Sequence, residues 1–144
     1  MQPRTKRLLL FMCVCIPART LLGVALMLHT DTGDFMRYVA ALLTGVIAVG
    51  FLYQIKKTIM APSGTSFVGA FGGDVWWPRL RALHVMMYGL SSFILFFPSL
   101  SRTSSLATHQ PVTEAFRFAG LLILLDTTIG FLTGVLHHAY SARF

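Results

Sequence analysis

The sequence predicts an all-α membrane protein with four transmembrane helices in an up-down bundle, and three observations support this. Of the 144 residues, 55% are hydrophobic and 12% are charged, whereas charged residues make up roughly a quarter of a soluble domain. The mean hydropathy is +0.68. The apolar residues gather into four runs of about 20 residues, each long enough to cross about 30 Å of hydrocarbon at about 1.5 Å per residue. Together the runs make one transmembrane domain, residues 1–144. The formal charge of +7 would suit nucleic-acid binding, but the basic residues flank the apolar runs instead of forming a basic surface. They therefore report orientation, and no nucleic-acid partner is expected.

The first run, 8–28, follows the basic residues Arg4, Lys6 and Arg7. It continues past Pro17 and Arg19, is longer than the apolar core of a cleavable secretory signal, and has no convincing Ala-x-Ala site after it. It is read as a retained helix. Cys13 and Cys15, two residues apart within it, point in different directions on a helix and do not suit a disulfide. A polar turn leads to the second run, 35–55, which Lys56 and Lys57 are expected to stop. Ala41, Gly45 and Ala48 give that run a small-residue face for close helix packing.

A linker rich in Gly, Ser and Pro, without the Gly-Lys pattern of a phosphate loop, leads to the third run, 78–97. Pro78 suits a first helical position, because a helix start leaves its missing N–H unpaired in any case. Trp77, Arg81, His84 and Tyr88 then fall four, three and four residues apart, in one stripe near the membrane entry. With Trp76, the residues Trp77, Arg81 and Tyr88 are expected to contact lipid or a partner at the interface. The fourth run, 115–136, ends on His137 and His138.

An even number of spans puts both termini on one side. That side carries Arg4, Lys6, Arg7, Lys56, Lys57, Arg79, Arg81 and Arg143, against Arg37, Arg102 and Arg117 on the other. The excess predicts termini in the cytoplasm, or in the matrix if the membrane is the mitochondrial inner one.

Arg19 and Asp126 lie near the middle of the first and fourth runs. A charge at midplane costs about 2.5 to 3.5 kcal/mol, so each needs a partner or a watery cavity. Helix one runs outward and helix four inward, so the two depths match and an Arg19–Asp126 ion pair is expected. Cys15, Arg19 and Gly23 share one face, as do Asp126, Gly130 and Gly134. Such a pair would fix packing and register; the other reading is a proton or ion path.

His84, His137 and His138 are placed at comparable depth near the terminal side, which raises haem ligation as an alternative. No metal site is expected from them. There is no Gly-x-Ser-x-Gly turn, no His-Glu-x-x-His helix and no carboxylate pair on one face, so enzymatic activity is not expected.

Three segments carry a resemblance: Cys15-Ile16-Pro17-Ala18-Arg19; Trp76-Trp77-Pro78-Arg79-Leu80-Arg81-Ala82-Leu83-His84 with Tyr88; and Leu124-Leu125-Asp126-Thr127-Thr128-Ile129-Gly130 followed by His137-His138. Over most of its length the chain resembles small uncharacterised four-span membrane proteins of large DNA viruses and unicellular eukaryotes. The resemblance implies the four-span topology and supplies no chemistry. The expectation is a non-enzymatic accessory or structural membrane protein without a cofactor, associating with lipid and with membrane protein partners or copies of itself. The alternative is a small ion- or proton-handling or haem-binding redox protein.

Overall fold

The computed structural model describes residues 9–29, 34–60, 80–98 and 111–141, which form four helices and no strand. Helix α1 covers 9–28 and consists mainly of a π-helical turn, Phe11–Cys15, running into an α-helix, Ile16–Leu28. Helix α2 is Asp34–Ile59, α3 is Leu80–Phe96 and α4 is Pro111–Ser141. The all-α, four-helix class is the one the sequence predicts. Three stretches, Phe11–Leu28, Asp34–Ile59 and Val112–His137, are long and apolar enough to cross a membrane, and Leu80–Phe96 is a shorter apolar helix.

Several boundaries differ from the sequence reading, each for a local reason. Lys56 and Lys57 do not stop α2; they occupy its last turn, where cations offset the negative end of the helix dipole. Helix α4 begins at Pro111, ahead of the expected 115. Proline suits a first helical position, and Glu114 falls in the first turn, where an acid is favoured. The π turn in α1 lies just before Pro17, which has no N–H to donate and whose ring crowds the carbonyl four residues back. The ladder widens there: the Ile16 N–H bonds Phe11 O, five residues back.

Helix α2 packs on α3, α3 on α4, and α4 on α1, whereas α1 and α2 scarcely meet at backbone level. The directions follow from which ends touch. The start of α2 meets the end of α3 through Arg37 and Leu95, and the end of α1 meets the start of α4 through His29 and Phe116. All three packed pairs are antiparallel, which makes an up-down bundle.

Helices α1 and α4 approach most closely at two glycines. A Cβ at Gly120 would lie 2.5 Å from Gly23 O and 2.9 Å from Met27 N, and one at Gly23 would lie 2.7 Å from Leu124 Cγ. Only a residue without a side chain lets these backbones touch. Across the α2–α3 seam, a Cβ at Gly45 would meet Ser92 Oγ at 2.9 Å, and that hydroxyl donates to Ala41 O at 2.8 Å.

Polarity is inverted relative to a soluble bundle. The interior holds Arg37, Arg81, His84, Ser91, Ser92, Thr44, Asp126 and Thr127 beside an apolar cluster that includes Leu26, Ala41, Tyr88, Leu95, Phe116 and Ile123. The exterior is lined by side chains such as Leu21, Leu28, Val46, Val49, Met86, Leu121 and Leu136. Such a surface suits hydrocarbon, and the eight polar side chains named here each make a hydrogen bond within the bundle.

Candidate functional site

The most concentrated chemistry lies where α1, α3 and α4 converge. Asp126 is wholly buried. Its Oδ2 is 3.3 Å from Arg19 Nη1 of α1, and its Oδ1 is 2.5 Å from His84 Nδ1 of α3. One carboxylate thus joins three helices. The helix geometry brings these groups together: Arg19 is a turn before Gly23, so the close α1–α4 approach at Gly23 and Gly120 carries it to the level of Asp126. On α3, His84 heads the inward stripe that continues through Tyr88, Ser91, Ser92 and Leu95.

The surroundings are aromatic. The Arg19 guanidinium lies 5.4 Å from the centre of the Phe51 ring and 6.0 Å from that of Tyr88, within the range of cation–π attraction. Phe51 also lies against His84, ring centres 4.7 Å apart. The Arg19–Phe51 contact closes the side on which α1 and α2 do not pack. Gly130 borders the cluster: a Cβ there would stand in ordinary contact, 3.9 Å from Arg19 Nη1 and 4.0 Å from His84 Cε1.

The chemistry of the cluster follows from its donors. Arginine stays charged, and an ionised carboxylate only accepts hydrogen bonds. Where Asp126 is ionised, the proton in its contact with His84 is carried by Nδ1 of the imidazole. The Arg19 guanidinium stands opposite the Asp126 carboxyl as its ion-pair partner.

Two further arginines fasten α2 to α3, one at each end. Arg37 Nη1 donates to Leu95 O at 3.0 Å and to Phe96 O at 3.1 Å, and its Nε and Nη2 bond Asp34 Oδ1 at 3.2 and 2.7 Å. It satisfies carbonyls that the end of α3 leaves unpaired. At the opposite end Arg81 Nη1 donates to Thr58 Oγ1 at 2.8 Å and Gln54 O at 3.3 Å.

These placements revise the sequence reading. Arg81 and Tyr88 were expected at the lipid interface; both are buried, Arg81 against the end of α2 and Tyr88 in the core. Their stripe faces inward because it is the polar face of an apolar helix, which in hydrocarbon is the face to hide. Trp76 and Trp77 lie outside the described residues, as does the side chain of His138.

His84 and His137 are not brought together. His84 is level with Asp126, and His137 lies eleven residues further along α4, about 16 Å at the helical rise. The comparable depth assigned to His84 and His137 from the sequence is therefore corrected: His84 is level with Asp126, near the middle of α4. Among the described residues no group of three His, Cys, Asp or Glu side chains converges as a metal site would require.

Sequence reasoning missed the His84 arm and the Arg37 tie. Both were marked by helical stripes: Arg81, His84, Tyr88, Ser91, Ser92 on α3, and Arg37, Ala41, Thr44, Ala48 on α2. No protein-family model matches the chain, and no curated protein or solved structure matches it.

Proposed function

We propose that this chain is a non-enzymatic, multi-pass integral membrane protein, an accessory or structural component that acts by associating with lipid and with membrane protein partners or copies of itself. The observation that carries the reading is the inverted polarity, with arginines, a histidine and an aspartate inside and leucine, valine and phenylalanine outside. Arg37, Arg81 and Asp126 all find partners within the bundle. What the protein offers to other molecules is then its apolar flank and its ends. The distribution of basic residues favours both termini in the cytoplasm, or in the matrix of a mitochondrion.

The test is extraction of the full chain from its native membrane in a mild detergent, followed by identification of whatever remains bound. The reading predicts resistance to alkaline carbonate and recovery in an assembly with other membrane proteins or with further copies. Release by carbonate overturns the membrane placement. Recovery as a lone monomer overturns the accessory role.

The haem alternative drew on His84 with His137 or His138; the His84–Asp126 contact, three turns of α4 away from His137, favours the reading without a haem. Purified protein is expected to be colourless; a haem absorbance band lost in His84→Ala would reinstate that alternative. The proton-handling alternative gains from the same contact, since aspartate and histidine inside a membrane are the usual carriers of protons.

A further inference from the structure

We propose that the end of α2 at Lys56 and Lys57 is a docking surface for anionic phospholipid, the two ammonium groups holding a headgroup phosphate of the leaflet they face. The lipid class deepens the association proposed above and rests on the same membrane placement.

The interfacial contact moves from one helix to another. Arg81 and Tyr88, expected at the interface, are turned into the bundle, and Arg81 directs Nη1 to Thr58 Oγ1 and Gln54 O of α2. The start of α3 thus lies beside the last two turns of α2, with Gln54 and Thr58 on the shared side. Each residue turns a helix by about 100°, so the two positions before Thr58 point away from α3. These are Lys56 and Lys57, both exposed. Among the described residues neither ammonium has an ion-pair partner, and no carboxylate stands at that end of the bundle.

Tyr53 fixes the depth. It is 64% exposed and lies three and four residues before the lysines, directly below both on the helix surface. Before it the outer face of α2 is hydrocarbon-like, with Val46, Val49 and Leu52 all exposed. A tyrosine facing lipid at the end of such a face sits at headgroup level, its ring in the apolar layer and its hydroxyl toward water. The lysines, one turn further along, then come at the layer of the phosphates.

The charge of the whole chain complements such a layer. In chain order, eight basic residues and a single acid, Asp74, belong to the end of the bundle that holds Lys56 and Lys57. Three basic and three acidic residues belong to the opposite end, and Arg19 and Asp126 lie between. The formal net charge of +7 therefore falls wholly at one end. Among the described residues, Lys56 and Lys57 are the exposed basic side chains there. Near a membrane surface each lysine strengthens attachment to anionic lipid by about fivefold.

The experiment reconstitutes the full chain in phosphatidylcholine bilayers with a trace of lipid spin-labelled on its acyl chain, either phosphatidylglycerol or phosphatidylcholine. Electron spin resonance measures how much of each is slowed by contact with the protein. The proposal expects phosphatidylglycerol to be preferred by about fivefold. Lys56→Gln with Lys57→Gln should remove most of that preference, and Lys56→Arg with Lys57→Arg should keep it. Lys6→Gln with Arg7→Gln takes the same charge from the segment before α1 and should remove far less.

Equal slowing of the two lipids overturns the proposal and leaves the lysines to an acidic protein partner. Equal losses from the two glutamine pairs also overturn it, because the attraction then belongs to diffuse charge and not to the end of α2. A chain that slows neither lipid is outside the bilayer and contradicts the membrane placement, whereas slowing without preference contradicts the lipid site alone.

Discussion

Gly120 and Gly130, on or beside the α1–α4 seam, are chemically alike and differ in what surrounds them. Gly120→Ala would drive a methyl group into the backbone of α1, at Gly23 O and Met27 N. Overpacking of this kind costs about 1 to 3 kcal/mol. Thermal unfolding in detergent should show a clear fall in Tm. Gly130→Ala places its methyl 3.9 Å from Arg19 and 4.0 Å from His84, ordinary contact distances, and should unfold close to the wild type. Equal loss from both substitutions would mean that the close approach at Gly120 is not what seats α1. Arg37 supplies a second case. It donates to Leu95 O and Phe96 O, and hydrogen bonds from a charged group contribute about 1.5 to 3 kcal/mol each. Arg37→Met should therefore destabilise the fold by about 3 kcal/mol and speed amide exchange at the end of α3, while the start of α3 stays protected by Arg81. The Arg19–Asp126 pairing was legible from matched depths alone. The role of Arg37 was not, because near a helix end an arginine that caps a neighbour and one that reaches for lipid read the same.

Among the elements, α3 departs most from its sequence reading. Its aromatic and basic start reads as an interfacial anchor, yet Arg81, His84 and Tyr88 all turn inward. The stripe was visible as far as Tyr88; Ser91 and Ser92 continue it with the same period, and a polar stripe running the length of an apolar helix marks an inner face. Helix α1 shows a different limit. The sequence reading carried the apolar run straight past Pro17, and periodicity does not say whether proline will kink a helix or widen it into a π turn. Pro17→Ala restores a donor for the Cys13 carbonyl. It should convert the turn to α-helix, measured as slower amide hydrogen exchange across Phe11–Cys15. Unchanged exchange there would show that Pro17 does not cause the wide turn.

For the whole molecule, composition and four apolar runs sufficed for the fold class, since hydrocarbon demands helices with their backbone bonds satisfied internally. Which helices would touch depended on side chains meeting in space. The order α2, α3, α4, α1 arises from the arginine ties, the glycine approach and the single carboxylate shared by Arg19 and His84. That carboxylate is the centre of the account, because it is where α1 and α3 are both fastened to α4. The most direct test is equilibrium unfolding in a bilayer mimic of Arg19→Met, His84→Leu and Asp126→Leu, singly and together. Removing one member of a buried charged group strands the others and costs about 3 to 5 kcal/mol, whereas replacing the whole group with apolar side chains of similar size is often neutral or stabilising. The account predicts a large loss for Arg19→Met and for Asp126→Leu, a smaller loss for His84→Leu, and recovery of most of the stability in the triple variant. Single variants that each lose less than about 1 kcal/mol, or losses that simply add in the triple variant, would contradict it.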